Sequence, residues 1–287
     1  MTPNFVSGAD LLGSWLTDLT SGPPPIRYRL PAPFDSLDAR PGRLILFGGA
    51  PGSGKTAALL QLGVDLLRLN PTARLLLANV EMPPVLLLER IVARLASVPL
   101  SAITDRSLTP VQRARVEVAL AALEPTAERL AFLHAPFSLE HVAAAGTAFG
   151  ANVLVLDYLQ RFTVGDSSTD ARERLELLVP TLRRFCDATA LVLTAAAVAR
   201  QKNASGSTYK GLNLASFRGS SELEYNADAA YLLTSPRAGA VEFACVKNRY
   251  QMPTDLVTTF DPTTQTFRPA PVGLNGFDEA APAGVND

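Results

Sequence analysis

The chain has 287 residues, 47% of them hydrophobic, and a formal net charge of -1. That length and apolar content suffice for a full core in one large domain with short extensions, while the near-zero charge offers no global attraction to a polyanion. No run of about 18 uninterrupted apolar residues is present, and no charged n-region precedes a cleavable apolar core, so a soluble, cytoplasmic protein without a membrane partner is expected. Cys186 and Cys245 lie in apolar surroundings without metal-ligand spacing and read as reduced core thiols.

Residues 1–40 fall into two parts. Leu11, Leu12, Trp15, Leu16 and Leu19 make one apolar stripe at helical spacing, with Ser7 and Asp10 placed to cap its start. Ser21-Gly22-Pro23-Pro24-Pro25 then breaks the helix and forms a stiff linker. An amphipathic helix on such a tether can fold back on its own domain or dock on a neighbour.

From Arg43 onward, strand-like runs at 44–47, 75–78, 130–133, 153–156 and 191–194 alternate with helical patterns that include 84–96, 110–123 and 171–186. Such alternation predicts an α/β domain over 41–270, with a mostly parallel central sheet flanked by helices. Runs at 231–233 and 241–246 follow with little helix between them, which predicts an antiparallel extension at one edge. The stretch 203–208 reads as a flexible loop, flanked by Arg200, Lys202 and Lys210. Residues 271–287 carry only acidic charges and are expected to be a disordered tail.

Gly49-Ala50-Pro51-Gly52-Ser53-Gly54-Lys55-Thr56 fits the phosphate-loop pattern G-x-x-x-x-G-K-[ST] and sits between a buried strand and a run of good helix formers. Its glycines let backbone N–H groups turn inward around phosphate oxygens, and the following helix adds its dipole. Lys55 is placed for the β- and γ-phosphates and the Thr56 hydroxyl for Mg²⁺. Gly52, Gly54 and Ala57 also fit a dinucleotide loop, but a Lys-Thr pair at the helix start suits a triphosphate with its metal, so ATP and Mg²⁺ are the expected cofactors. An ATP-hydrolysing site further needs an acid for the metal and a base for water. Asp157 ends an apolar strand at the sheet's carboxyl edge, where ligands bind in open α/β sheets. Glu81 emerges after the strand ending at Asn79, just before a proline-initiated helix, where it would otherwise serve the helix dipole.

These segments carry a resemblance. Val80-Glu81-Met82, followed by Leu88, Arg90 and Leu95, resembles the S-L-E-M segment of DnaB-type replicative helicases. Leu156-Asp157-Tyr158-Leu159-Gln160 is similar to their D-Y-L-Q-L, and the stretch from Phe217 to Asp228 to a worn L-R-E-S-G-x-I-E-Q-D-A-D. Lys247-Asn248-Arg249 is similar to their K-x-R-N-G segment, and the matches keep the family's order across roughly 40–268.

The resemblance implies a RecA-like P-loop NTPase core working as a homo-oligomeric ring, usually a hexamer, with ATP held between subunits. Glu81 would be the catalytic carboxylate and Asp157 the metal-associated acid. Lys247 and Arg249 would be finger residues reaching the neighbour's γ-phosphate. Single-stranded DNA would lie in the central channel on Arg218, Gly219 and Ser221, helped by Arg200, Lys202 and Lys210, through phosphate contacts that read no bases.

The resemblance is incomplete. Where the family has S-Q-L-x-R, with a Gln that senses the γ-phosphate, this chain has Ala196-Ala197-Val198-Ala199-Arg200. Gly219 replaces an acid and Gln251 a glycine. The resemblance would place a primase-binding domain ahead of the stripe 11–19, where none is expected from these residues, and the stripe itself stands where the family has its linker helix. The expected activity is therefore a ring ATPase and DNA helicase or translocase. The alternatives are an ATP-switched loader or recombination mediator, and a KaiC-like ring ATPase acting on proteins.

Overall fold

The alternating pattern becomes, in chain order, α1 (Gly8–Ser21), β1 (Leu44–Gly49), α2 (Lys55–Leu69), β2 (Leu75–Asn79), α3 (Pro84–Ala96), α4 (Leu100–Thr104), α5 (Pro110–Ala127), β3 (Leu130–Phe132) and α6 (Leu139–Phe149). There follow β4 (Val153–Asp157), α7 (Ala171–Asp187), β5 (Leu191–Ala197), β6 (Gln201–Asn203), β7 (Gly206–Thr208), α8 (Ser221–Asn226), β8 (Ala229–Thr234), β9 (Ala240–Asn248), β10 (Leu256–Asp261) and β11 (Thr266–Pro269). This computed structural model describes residues 5–165, 171–188, 190–199, 201–203, 206–208, 212–217, 221–235 and 239–271. The tail expected to be disordered lies, from residue 272 on, outside them.

One nine-stranded sheet runs β11-β10-β9-β8-β1-β5-β4-β2-β3. Strands β8, β1, β5, β4, β2 and β3 are parallel, and β9, β10 and β11 continue the sheet antiparallel, as expected. The parallel strands are apolar on both faces because both faces are covered. In β1, Ile45 and Phe47 join the core that contains Leu59, Leu62 and Leu66 of α2, while Leu44 and Leu46 join the core that contains Leu178 and Leu182 of α7. A third, smaller core gathers Val92, Ala93 and Ala96 of α3 with Ile103 and Ala119. Tyr28, Phe34, Leu37 and Ala39 are also buried in the α2 core, so the packed body begins before Arg40.

The stretch read as a flexible loop at 203–208 is corrected by the structure. Its described residues, 203 and 206–208, belong to an antiparallel ladder in which Gln201 lies opposite Thr208 and Asn203 opposite Gly206, while 204 and 205 lie outside the described residues. A polar ladder this short has no apolar alternation to betray it. Helix α1 forms as expected, with Ser7 accepting from the Asp10 N–H at 3.1 Å. None of its residues is buried, and Leu12 and Leu19 are 66% and 64% exposed.

Asp228 fastens the start of the sheet. Its carboxylate, 1% exposed, accepts from Leu44 N at 2.9 Å and from Arg183 at 2.7 Å, while its own N–H donates to Leu44 O. Asp228→Ala removes the partner of a half-buried guanidinium and the cap of β1. The expected cost is about 3–5 kcal/mol, read as a lower denaturant midpoint with unchanged slope. Asp228→Asn retains the acceptor for Leu44 and loses less.

Candidate functional site

β1 ends in Gly48-Gly49, and the chain then turns through the phosphate loop into α2 at the sheet's carboxyl edge. Gly54 has φ +92°, a left-handed conformation, and a Cβ there would sit 2.9 Å from the Phe267 ring. β11 thus roofs the loop's last glycine. It is held there by Gln61 of α2, whose amide donates to Phe267 O at 3.0 Å and accepts from Phe267 N at 2.8 Å.

Lys55 folds over the loop, its Nζ donating to Gly49 O at 2.8 Å and Ala50 O at 2.9 Å. Burial pushes the Lys55 pKa below the ordinary lysine value, partly countered by the charges of Asp157 and Glu81. Thr56 Oγ1 donates to Asp157 Oδ2 at 2.6 Å, and Asn79 Nδ2 donates to the same oxygen at 2.7 Å. Asp157 is 6% exposed, and burial raises its pKa despite these hydrogen bonds and the nearby Lys55.

Asn79 also shapes the turn that carries Glu81. Its Oδ1 accepts from Glu81 N at 2.9 Å and Met82 N at 2.7 Å, while Val80 N donates to Asp157 O. Thr56, Asp157 and Glu81 therefore meet at one edge because a single Asn side chain bonds both to the acid and to the turn. In the sequence Asn79 stands out only as a strand end, yet a strand-ending Asn two residues before an acid is the signal of an Asx-type turn.

Around these residues lies a cavity of about 640 Å³, walled by Gly49, Lys55, Thr56, Glu81, Asp157 and Ala197 on the side of the strands. Its far wall, which the sequence pattern did not reveal, consists of Arg90, Phe260, Pro262 and Gln265. Arg90 donates to the Gln265 side chain, whose amide in turn donates to Pro262 O at 2.6 Å. This wall joins α3 to the β10–β11 turn, far apart in the chain, so no local pattern marks it.

Lys247 and Arg249 are not among the described residues lining this cavity. They gather at the end of α8, where Lys247 Nζ and Arg249 Nη2 donate to the Tyr225 carbonyl at 3.0 and 2.6 Å. Arg249 also lies 3.4 Å from Asp228. Of the residues suggested for DNA, Arg200, Lys210, Arg218 and Gly219 lie outside the described residues. Lys202 falls within β6 and Ser221 opens α8, and only their backbones are described.

A family model for the DnaB-like helicase C terminal domain matches residues 33–268. Among solved structures, that of an ATPase domain has a TM-score of 0.79 at 17% identity, covering 93% of this chain and 100% of that one. "The Structure Of A DnaB-Like Replicative Helicase And Its Interactions With Primase" has a TM-score of 0.76 at 17% identity, covering 93% of this chain and 68% of that one. At that identity the likeness is one of fold. No curated protein sequence matches.

The raised Asp157 pKa sets a stability test. A fold that disfavours the carboxylate loses stability above the folded pKa, and the loss vanishes below the ordinary carboxylate range. Asp157→Asn, which keeps an acceptor for Thr56 and Asn79, should therefore raise the thermal midpoint of the nucleotide-free protein at about pH 8, with the gain fading towards about pH 4. A lower midpoint at the higher pH would show that attraction to Lys55 outweighs burial.

Proposed function

This chain belongs to the family of DnaB-like helicase C-terminal domains, and from that premise we propose that it is a ring-forming, ATP-hydrolysing motor on single-stranded DNA. The observation that carries this reading is the division of the catalytic set. Lys55, Thr56, Asp157 and Glu81 surround one cavity, whereas Lys247 and Arg249 gather elsewhere on the same subunit. A cation pair that does not line its own cavity is suited to complete the cavity of a neighbour.

In this reading the backbone N–H groups of the loop and Lys55 bind the phosphates of ATP. The Thr56 hydroxyl and Asp157 carboxylate converge within 2.6 Å, and the described residues contain no group of three or more His, Cys, Asp or Glu that would cage a metal alone. That donor set fits Mg²⁺, which keeps water ligands and shares substrate phosphates; it supplies charge neutralisation on the phosphoryl oxygens. Glu81, on the turn fixed by Asn79, orients the attacking water and takes up its proton. Lys247 and Arg249 leave the Tyr225 carbonyl to reach the γ-phosphate held by the adjacent subunit.

The exposed apolar stripe of α1 docks on that adjacent subunit and helps close a ring, with hexameric closure taken from the family resemblance. Arg200, Lys202, Lys210, Arg218, Gly219 and Ser221 grip the phosphates of the strand in the channel. A second reading, an ATP-switched loader without processive unwinding, is favoured by one observation. Ala197 lines the cavity where a side chain able to sense the γ-phosphate would stand.

Glu81→Gln should lower turnover by about 10²–10⁴-fold while nucleotide binding persists; intact hydrolysis would remove Glu81 from its role. Mixed inactive Arg249→Ala and Lys55→Ala subunits should regain part of the activity, since each supplies what the other lacks. No regained activity at any mixing ratio speaks against a shared site. Stimulation by single-stranded DNA should weaken steeply with salt, and strand displacement from a forked duplex separates motor from loader.

A further inference from the structure

β5 outruns its neighbour. Pairing between β4 and β5 stops at Leu156 opposite Thr194, yet β5 continues to Ala197, whose other edge pairs with Gly49 at the start of the phosphate loop. The edge left open by β4 is closed by a side chain. Gln160, in the 3-10 turn Leu159–Arg161, accepts from Ala197 N at 2.9 Å and donates to Ala197 O at 3.2 Å. An amide side chain carries the same donor and acceptor as a peptide unit, so Gln160 extends the ladder where the backbone of β4 has turned away.

Ala197 is thus held between the phosphate loop and the segment that bears Asp157, and it lines the cavity without a polar side-chain atom. Beyond it, Val198 bridges Phe217 and Ala199 N donates to Ser216 O at 2.7 Å. Phe217 in turn packs against Gly48, where a Cβ would meet its ring at 2.7 Å. The chain leaving β5 and the chain entering α8 are therefore fastened together immediately beside the cavity.

We propose that Gln160 is a positioning residue: its amide fixes the backbone of Ala197 in the cavity wall and thereby transmits nucleotide occupancy to the paired segments at Val198 and Phe217. The inference rests on the proposed ATPase activity for its catalytic consequence, though not for the clasp itself. A wall residue without hydrogen-bonding side-chain atoms can register a phosphate only by displacement, and Gln160, bonded to both polar groups of its backbone, sets where that backbone lies.

Two variants test it. Gln160→Met keeps the length without the amide, and Gln160→Glu replaces the donor by a second acceptor until it is protonated. Binding of a fluorescent ATP analogue should change by less than about two-fold, while amides at 195–199 exchange about ten-fold faster and DNA-stimulated turnover falls about ten-fold in Gln160→Met. Turnover of Gln160→Glu relative to the unsubstituted protein should recover as pH falls, because a carboxylic acid again offers a donor to Ala197 O; the ratio removes any pH dependence common to both proteins. The Gln160→Met ratio should stay flat.

Unchanged exchange, or faster exchange with unchanged turnover, overturns the proposal. If the unsubstituted protein has no turnover, the ATPase reading fails, and the exchange measurement still decides the clasp. Nucleotide-dependent protection at 195–199 that is lost in Gln160→Met supports it; protection retained in the variant overturns it.

Discussion

The carboxylate of Asp157 accepts hydrogen bonds from Thr56 at 2.6 Å and Asn79 at 2.7 Å, and the geometry of the site follows from that pair. Thr56 belongs to the helix after β1, and Asn79 ends β2, so one buried acid sets three segments of the sheet's carboxyl edge against each other. Asn79 then carries the constraint outward by fixing the turn at Glu81. Burial opposes ionisation of Asp157, and it also opposes the charge on Lys55. The fold holds two groups in an environment that disfavours their charged forms, an arrangement that serves a ligand with charges of its own better than it serves the empty protein.

The same economy governs the cations at the other end of the domain. Lys247 and Arg249 are satisfied by the Tyr225 carbonyl, and Arg249 also by the buried Asp228 that anchors β1. A guanidinium that exchanges a carbonyl for a phosphate oxygen gains an anionic acceptor in place of a neutral one. Within the ring reading, the resting contacts hold the pair together and pointing from one place, and the stronger acceptor belongs to the neighbour.

Much of this was legible in the residues, and the illegible part has a common cause. The phosphate loop declares itself because strand, glycines and helix are contiguous, and the parallel strands because covering both faces demands unbroken apolar runs. Lys55, Thr56, Glu81 and Asp157 were found from such local context, and the structure brings them around one cavity. Asn79, Gln61 and the far wall at Arg90, Phe260 and Gln265 act across long separations, through side-chain bonds that leave no period in the sequence. The β6–β7 ladder escaped for a different reason: Gln201-Lys202-Asn203 and Gly206-Ser207-Thr208 contain no apolar residue, so no hydrophobic pattern selects its register.

Helix α1 makes the argument for assembly from another direction. An amphipathic stripe is stabilised in a folded protein by what it packs on, and an isolated helix of this length is marginal in water. Here Leu11, Leu12, Trp15, Leu16 and Leu19 remain more than half exposed while a proline linker separates them from the core. Lys247 and Arg249, the finger residues of the proposed function, likewise lie apart from the cavity of their own subunit. Under the ring reading, each of these features meets a different surface of the next subunit, the relation that defines a head-to-tail contact. Repeated copies joined in that way close into a ring when the rotation permits. Under the proposed function, closure then does two things at once: it buries the stripe, and it brings Lys247 and Arg249 to the phosphate that their own subunit does not hold.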